Sequence, residues 1–257
     1  MHRRQMHRRQ ALKLFAGLAL CPLCAPRGFA ADAHWSYEGA EGPAKWGDLD
    51  AASRVCSVGG QQSPIDIGAT VKAQLGALKI TWDKNADTIV NNGHTIQLAM
   101  GETSASVLQV GDGGNFRLVQ FHFHHPSEHL IAGKNFPMEV HFVHANAAGA
   151  LSVIGVLMTT GKPNAVFSKV VSTMPEKEGP VVKADATINP NGLLPATRTY
   201  YRYEGSLTTP PCSETVDWLL LTDPIQVAEA DVARFGKLFA MNARPVQKAN
   251  RRFVLRS

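Results

Sequence analysis

The segment Gln120-Phe121-His122-Phe123-His124 alternates polar and aromatic side chains with the period of a β-strand. Residues two apart point to the same face of a strand, so Gln120, His122 and His124 share one face and the two phenylalanines share the other. The two imidazoles then lie about 6.6 Å apart along the strand, and a neighbouring strand lies about 4.8 Å away. A third histidine on that neighbour would complete three ligands of a tetrahedral site with one open position, as in catalytic zinc centres.

Several histidines downstream are candidates for the third ligand: His125, His129, His141 and His144. A His-x-His pair alone is a weak metal signal, so the third residue decides the interpretation. His141 lies in a second alternating run, with Glu139 on the same strand face. A carboxylate in that place can hold the ring nitrogen that does not bind the metal. The pattern therefore favours a set of three neutral ligands, His122, His124 and His141.

The positive charge of the chain is confined to its N-terminal region. The 257 residues carry a formal net charge of +5, and residues 1–30 contain six basic residues but no acidic ones. Without this region, 20 basic side chains remain against 21 acidic ones, a net charge of −1. The basic balance is therefore no evidence for a nucleic-acid partner, and none is expected.

Residues 1–30 are predicted to be a signal peptide that directs export to the periplasm and is removed there. A basic stretch precedes the apolar run at residues 11–20, which is too short to span a membrane, and small residues follow near position 30. Arg8-Arg9 fits a twin-arginine signal, while ordinary Sec export and a disordered basic N-terminus remain alternatives. No membrane anchor is expected, and residues 31–257 are predicted to form the catalytic domain.

Two cysteines, Cys56 and Cys212, remain if Cys21 and Cys24 are removed with the leader. An exported chain with one cysteine pair is most simply a one-disulfide protein. The alternative is two buried free thiols. A bridge that closes such a long loop is worth up to about 5 kcal/mol in the chain-entropy model.

Short β-like runs separated by turn signals make up most of the chain after residue 62. The predicted strands include residues 63–67, 78–82, 88–90, 95–100, 106–110, 116–124, 138–144, 151–158, 200–203 and 216–221. Helical periodicity is sparse, and its best candidates are residues 165–173 and 228–241. The sequence therefore predicts a single domain that is mainly β, with a large sheet and a few short helices.

Other motifs of the chain occur together with the His-x-His segment in the order of a known family. They are Gln62-Ser63-Pro64-Ile65-Asp66-Ile67, Asn91-Asn92-Gly93-His94, Ser127-Glu128-His129, Glu139-Val140-His141, Ser206-Leu207-Thr208-Thr209-Pro210-Pro211 and Asn242-Ala243-Arg244-Pro245. From about Trp35 to Arg251 the chain resembles the α-class carbonic anhydrases, and the short connection after His125-Pro126 resembles their bacterial branch. The resemblance implies their fold, which is built on a large, mostly antiparallel twisted central sheet, and one Zn2+ per chain.

The resemblance also implies a reaction, the reversible hydration of CO2 to bicarbonate and a proton by a zinc-bound hydroxide. Glu128 and Thr208 match the residues that orient the hydroxide, and His94 matches the residue that carries the proton to buffer. The implied proton path includes three more residues: Tyr37, Asn92 and Gln97. The residues implied to hold the ligand rings are Gln120, Glu139 and, through its backbone carbonyl, Asn242.

The resemblance further assigns a substrate pocket, because CO2 is apolar and needs a dry wall. The implied substrate-binding residues are Val143, Val153, Leu207, Thr208, Thr209, Val216 and Trp218, and ordinary core packing is the alternative for the apolar ones. Sulfonamide and anion inhibitors are expected. A homodimer is compatible with the likeness to bacterial members, although the sequence shows no interface pattern. His125 matches no role in the family.

Two other functions fit parts of the pattern. A catalytically silent binding protein on the same fold would show a replaced zinc ligand. A general zinc hydrolase would need a general base beside the metal and a wide cleft. The three ligand histidines, Thr208, Glu128 and His94 are all intact, which favours the carbonic anhydrase reaction.

Overall fold

A computed structural model of the chain describes residues 34–111 and 114–257. The predicted signal peptide at residues 1–30 lies outside the described residues, so the leader and its export route remain predictions. Residues His34–Ser257 form one compact unit. Within the described ranges, no helix combines the length and the apolar character needed to cross a membrane.

Strands dominate the described residues, which contain only three short α-helices. The helices are α1 (Val55–Val58), α2 (Ala165–Thr173) and α3 (Glu229–Leu238). The strands are β1 (Asp66–Ile67), β2 (Val71–Lys72), β3 (Leu78–Thr81), β4 (Thr88–Asn91), β5 (Ile96–Ala99), β6 (Val107–Val110), β7 (Asn115–His124), β8 (Leu130–Ile131), β9 (Met138–Ala145), β10 (Leu151–Thr160), β11 (Val182–Lys183), β12 (Tyr200–Gly205), β13 (Val216–Leu221), β14 (Ile225–Val227) and β15 (Leu255–Arg256).

Within the described residues, 13 strands form one large sheet, and its middle strands follow the order β4-β5-β7-β9-β10-β13-β12. Most neighbouring strands in it are antiparallel, and the parallel pairs are β10 with β13, β10 with β14, and β15 with β2. Strands β1 and β8 form a separate parallel pair. The predicted mainly β fold on a large, mostly antiparallel sheet is confirmed.

Strand β7 carries phenylalanine side chains on one face and imidazole side chains on the other. Phe121 and Phe123 are fully buried in the main core, and the Phe123 ring packs against Phe167 of α2 and Phe235 of α3. Burial of each such side chain contributes about 1.5–3 kcal/mol. Because alternate residues point to opposite faces, this apolar face turns the imidazoles of β7 toward the other side of the sheet.

A β-bulge in β7 sets the register that brings the histidines together. Leu118 lies opposite His144, but after the irregularity at Val119 the pairing shifts by one residue, so His122 lies opposite His141. If the register at Leu118 continued without the bulge, His122 would lie opposite Val140 instead, because a one-residue slip changes which side chains of the two strands share a face. The bulge is therefore part of how the sequence builds the site.

Two predicted elements are shorter in the structure by three residues or more, while the other boundaries shift less. Helix α3 ends at Leu238 rather than at residue 241, because Phe239 leaves the helical region at φ −130° and ψ 81°. The ring nitrogen Nδ1 of His125 lies 3.1 Å from the Phe239 carbonyl oxygen, a distant contact that helical periodicity cannot reveal. The predicted strand at residues 63–67 pairs as a strand only at Asp66–Ile67.

Cys56 and Cys212 form a disulfide bond, as predicted. Both cysteines are buried beside Trp46 in a small core cluster of their own. The bond ties the segment around α1 to the loop that follows β12. The Cys212 N–H donates to the Thr209 carbonyl over 2.8 Å, so the part of this loop that carries Thr208 is closed by a turn as well as by the disulfide.

Candidate active site

Three imidazoles meet where β7 and β9 run side by side. The possible ligand atoms of His122, His124 and His141 all lie within 4.8 Å of one another. The ring centroids are 5.0 Å apart for the first pair along β7, and 4.5 Å and 5.4 Å apart across the strands. Of the other candidate ligands in the described chain, only His129 falls in a possible metal-binding group, with Glu139 and His141.

Each of the three rings has one nitrogen held by an oxygen that can only accept. The distances are 2.8 Å from His122 Nδ1 to Gln120 Oε1, 2.7 Å from His124 Nδ1 to the Asn242 carbonyl oxygen, and 2.8 Å from His141 Nε2 to Glu139 Oε1. Because these oxygens only accept, the ring nitrogen that faces each of them carries the proton. The opposite nitrogen of each ring then has a free lone pair. Each ring therefore has one nitrogen free to bind a metal ion.

The residues fit a zinc ion. The buried His124 Nε2 and Glu128 Oε2 lie 3.6 Å apart, and neither has a hydrogen-bond partner within the ranges that the structure describes. Leaving a buried polar atom unpaired costs about 1–3 kcal/mol, so such atoms need a physical reason. Three neutral imidazoles with a free coordination position form the donor set of catalytic zinc sites.

The electrostatics of the site keep the three rings neutral. Burial, reinforced by the neighbouring His124 and His141, holds the pKa of His122 well below its ordinary value. Burial also lowers the pKa of His124 to about 4. It lowers the pKa of His141 too, although the nearby Glu139 carboxylate opposes this shift. Neutral rings are the form that binds a metal, so protons compete weakly with the ion at neutral pH.

The depressed histidine pKa values give an expected pH dependence for the stability of the metal-free protein. Burial lowers the pKa of His144, which lies on β9 outside the triad, to about 3, and that of His124 to about 4. The unfolded chain, with histidine pKa values near 6.5, therefore binds more protons than the folded chain as the pH falls from about 6.5 to 4. Each of these two histidines should lower the free energy of unfolding by about 1.4 kcal/mol per pH unit in that range.

Denaturant unfolding at several pH values measures this slope. Burial raises the pKa of Glu128 to about 7, so this carboxyl acts in the opposite direction between pH 4.5 and 7 and offsets one histidine. His144→Gln should flatten the dependence, because it removes one of the titrating groups. A free energy of unfolding that stays constant between pH 6.5 and 4 would contradict the expectation.

Glu139 is the most heavily hydrogen-bonded side chain of the site. Its Oε1 accepts from His129 Nδ1 and His141 Nε2, each over 2.8 Å, and its Oε2 accepts from the backbone N–H groups of Glu128 and His129 over 3.0 Å and 2.9 Å. Burial disfavours its charge, but His129 and His141 hold its pKa well below the ordinary value. The network continues from His129 Nε2 to the Tyr203 hydroxyl over 2.6 Å.

Glu128 and Thr208 lie beside the triad, but the expected hydrogen bond between them is not fully formed. Burial raises the pKa of Glu128 to about 7, although His141, the Arg244 N–H and the Thr208 hydroxyl all lower it. The Arg244 N–H donates to Glu128 Oε1 over 2.8 Å. Glu128 Oε2 accepts from no described residue, so Thr208 is near this carboxylate without a well-aligned hydrogen bond to it.

His94 stands on a tight turn at the edge of the site. Asn92 Oδ1 accepts from the N–H groups of His94 and Thr95, over 3.0 Å and 2.9 Å, and Gly93 provides the positive φ of 82° that the turn requires. The half-buried His94 ring stacks on Trp35 with centroids 3.7 Å apart. Burial lowers the pKa of His94 from its ordinary value.

Tyr37 and Gln97 are two further residues of the predicted proton path. The Tyr37 ring is 6.5 Å from the His94 ring, and burial, aided by Glu128, holds the pKa of Tyr37 well above its ordinary value. Gln97 lies directly opposite His122 in the pairing of β5 with β7. The predicted path residues therefore extend from the His94 turn to the strand that carries His122.

The apolar residues predicted for the substrate pocket form one cluster on the imidazole side of the sheet. Val153, Val216 and Trp218 are buried there, with the half-buried Val143 and Leu207 packed against them. The Trp218 ring lies 4.8 Å from the His141 ring, and its Nε1 donates to the Ser206 carbonyl over 3.0 Å. The arrangement puts an apolar wall beside the triad.

The family model for eukaryotic-type carbonic anhydrases matches residues 41–257. The chain belongs to this α-class carbonic anhydrase family. It is 44% identical to the carbonic anhydrase of Klebsiella pneumoniae over 223 residues. The aligned region covers 86% of this chain and 90% of the relative. It is 41% identical to that of Neisseria gonorrhoeae, over 86% of this chain and 87% of the relative.

Solved α-carbonic anhydrases share this fold. The enzyme from Thermovibrio ammonificans, in complex with the inhibitor sulfanilamide, matches with a TM-score of 0.83 and 45% identity, over 87% of this chain and 99% of that one. The Photobacterium profundum α-carbonic anhydrase matches with a TM-score of 0.81 and 40% identity, over 86% and 100%. The family resemblance and the assignment of the chain as an enzyme are thus confirmed.

Sequence reasoning missed how much of this carbonic anhydrase site is held together by residues after α3. The Asn242 side chain donates from Nδ2 to the carbonyls of His94 and Phe123, each over 2.9 Å, and accepts at Oδ1 from the His125 N–H over 2.6 Å. Asn242 therefore ties the His94 turn to the ligand strand. The His125 ring, which the family resemblance left without a role, lies 3.1 Å from the carbonyl oxygens of Phe239 and Ala240 at the end of α3.

Arg244 is a residue to which the sequence analysis assigned no role. Its Nη1 donates to Gln62 Oε1 over 2.9 Å and to the Ser63 carbonyl over 2.8 Å, and its Nη2 donates to the Cys56 carbonyl over 3.0 Å. Burial lowers its pKa to about 10, opposed by Glu128. The only sequence signal was the motif Asn242-Ala243-Arg244-Pro245, which gives no indication of these distant partners.

Proposed function

We propose that the chain catalyses the reversible hydration of CO2 to bicarbonate and a proton, with one zinc ion per chain held by His122, His124 and His141. One observation carries this assignment: three neutral rings present free nitrogens to one another, and each opposite nitrogen is fixed by an oxygen. When bound, the zinc ion supplies the Lewis acidity that makes water a nucleophile near neutral pH.

The residues around the triad hold its ligand geometry. Gln120, Glu139 and the Asn242 carbonyl fix the tautomer and the orientation of the rings, which raises their ability to donate a lone pair. We assign none of the ligand positions to a carboxylate, because a negative ligand would reduce the charge on the metal.

Thr208 and Glu128 orient the nucleophile. In its ionised form Glu128 only accepts hydrogen bonds, so it accepts one from the Thr208 hydroxyl and leaves the Thr208 oxygen as an acceptor toward the nucleophile. This arrangement directs a lone pair of the nucleophile at carbon and disfavours bound groups that cannot donate. We propose that Thr209 helps to bind bicarbonate.

The apolar wall receives CO2. Val143, Val153, Leu207, Val216 and Trp218 form an apolar cluster beside the triad, and an apolar molecule is favoured against such a surface. The clustering of these five residues beside the His141 ring supports this role over plain core packing.

His94 removes the proton that the reaction releases. Its half-exposed ring, near Tyr37 and Asn92, can accept a proton on the inner side and release it to buffer on the outer side. Together with Gln97, these residues line the path along which ordered water would pass the proton.

Replacement of His94 by alanine is expected to lower kcat in weak buffer by roughly a hundredfold, the lower end of what a general acid or base contributes. The ratio kcat/KM should change little, because the variant keeps the groups that bind and attack CO2. Imidazole added as a buffer should restore turnover. Stopped-flow hydration assays over a range of buffer concentrations measure both effects, and a buffer dependence identical to that of the unmodified protein would point to another proton carrier.

Localisation and inhibition follow from the same assignment. We propose that residues 1–30 are a signal peptide and that residues 31–257 act in the periplasm, where the Cys56–Cys212 disulfide is compatible with an oxidising compartment. The sulfanilamide complex of the Thermovibrio ammonificans relative supports binding of sulfonamides here, and we propose that small anions also inhibit.

A stopped-flow CO2 hydration assay on the zinc-loaded protein tests the proposed function. We expect hydration well above the rate in buffer alone and inhibition by sulfanilamide. A catalytically silent binding protein would show no hydration, and a general zinc hydrolase would cleave esters faster than it hydrates CO2. Either result would overturn the assignment.

A further inference from the structure

The His94 turn forms one wall of a cavity of about 450 Å3 that lies on the outer side of the ring. The segment around Trp35 forms a second wall, and residues 238–242 form a third. The loop that follows α2 supplies a single lining residue, Glu178. The proton path described above makes no use of this residue.

The loop that carries Glu178 is attached to the His94 turn at both ends. The Asn91 Nδ2 donates to the Pro175 carbonyl over 3.2 Å, and the Gly179 N–H donates to the Asn91 carbonyl over 3.2 Å. Between these two bonds the carboxylate lies against Gly93, where an added Cβ would come within 2.9 Å of Glu178 Oε2. The negative charge is thus held next to the residue that precedes His94.

We propose that Glu178 is a positioning residue for proton transfer: its carboxylate stabilises the protonated His94 ring on the cavity side of the turn. The inference rests on the role proposed for His94. An opposite charge near an imidazole favours its charged form, and the loop contacts keep that charge close while the side chain itself remains exposed to solvent.

The other ionisable groups near His94 come from the segment at residues 34–41. Burial lowers the pKa of His94, His34 lowers it further, and Glu178 raises it. His34 is itself paired with Glu41 over 2.7 Å. Glu38 and Tyr37 also line the cavity, whereas the wall at residues 238–242 contributes no ionisable side chain. Glu178 is therefore the carboxylate that offsets the effect of burial on this ring.

The Glu178 carboxylate acts on the step in which His94 accepts a proton. Loss of the carboxylate lowers the pKa of His94, so the ring becomes a weaker acceptor for the proton that hydration releases. The groups that bind and attack CO2 are unchanged. Loss of the carboxylate should therefore lower kcat for hydration and leave kcat/KM unchanged. The decrease in kcat should be smaller at high salt, because salt screens an exposed charge, over about 8 Å at physiological ionic strength.

Glu178→Gln tests this inference in the zinc-loaded enzyme. We expect a lower His94 pKa in an NMR titration of its ring protons, together with a decrease of roughly twofold in kcat for hydration in weak buffer, the size typical of exposed charge pairs. His34→Ala should shift the His94 pKa in the opposite direction. The matched control is Glu176→Gln on the same loop, whose carboxylate faces Arg234 at 3.9 Å and does not line the cavity.

Two outcomes would overturn the inference: an unchanged His94 pKa in Glu178→Gln, or an equal shift in Glu176→Gln. A structural effect of the substitution would show as a change in kcat/KM and would persist in 1 M salt. The His94 titration does not depend on catalysis. If the His94 pKa shifts while His94→Ala leaves turnover unchanged, Glu178 acts on the ring as inferred and the proposed proton-transfer role of His94 fails.

Discussion

His124→Ala is expected to abolish tight zinc binding and to lower kcat/KM for CO2 hydration by well over a hundredfold, since roughly 10–100-fold is already typical when a residue that only holds a ligand is lost. The substitution leaves two imidazoles, which cannot complete the donor set. It also removes the ring that pairs with the Asn242 carbonyl over 2.7 Å. We expect the same result for His122→Ala and His141→Ala, measured by metal analysis after dialysis and by stopped-flow assay.

The adjacent histidine provides a matched control for this experiment. His125 follows His124 directly, but its ring faces the carbonyls at the end of α3 rather than the other imidazoles. His125→Ala should therefore keep one zinc ion per chain and most of the activity, even if its thermal stability falls. Stoichiometric zinc in any of the three triad variants would show that the ligand is wrongly assigned.

Glu139→Gln is expected to weaken both the fold and the metal site, because the carboxylate accepts four hydrogen bonds in a fully buried position. An amide has one oxygen, so its NH2 group must face at least one N–H donor that then loses its partner. Each buried donor left unpaired costs about 1–3 kcal/mol. Because His141 loses its acceptor or shares it, we also expect zinc affinity to fall about 10–100-fold.

Denaturant unfolding of the metal-free protein and competition with a zinc chelator measure these two effects separately. Glu204→Gln removes a carboxylate of the same type from an exposed position on β12, and it should change neither quantity appreciably. Zinc affinity unchanged in Glu139→Gln would mean that the carboxylate stabilises the fold without holding the His141 ring.

Local periodicity carried much of the information about the site. The alternation at residues 120–124 correctly indicated that Phe121 and Phe123 face the core, and the second alternating run placed His141 beside Glu139. These are short-range properties, because a strand fixes the direction of each side chain relative to its neighbours. The family resemblance extended the prediction to residues as far apart as Thr208 and Glu128.

The contacts that sequence reasoning missed all join residues far apart in the chain. Asn242 bonds to His94 and Arg244 bonds to Cys56, and neither pair leaves a periodic signal. The early end of α3 has the same origin, since residues 228–241 are apolar at helical spacing but the chain turns away where His125 meets the Phe239 carbonyl. The bulge at Val119 also escaped prediction, although it determines which histidines are opposite each other.

We propose that the zinc ion held by His122, His124 and His141 is responsible for CO2 hydration. Titration of the metal-free protein with zinc, followed by stopped-flow hydration at each addition, tests it most directly. We expect activity to rise in proportion to added zinc and to stop rising at one ion per chain. A chain that binds one zinc ion at these three histidines and hydrates CO2 no faster than buffer would contradict the account.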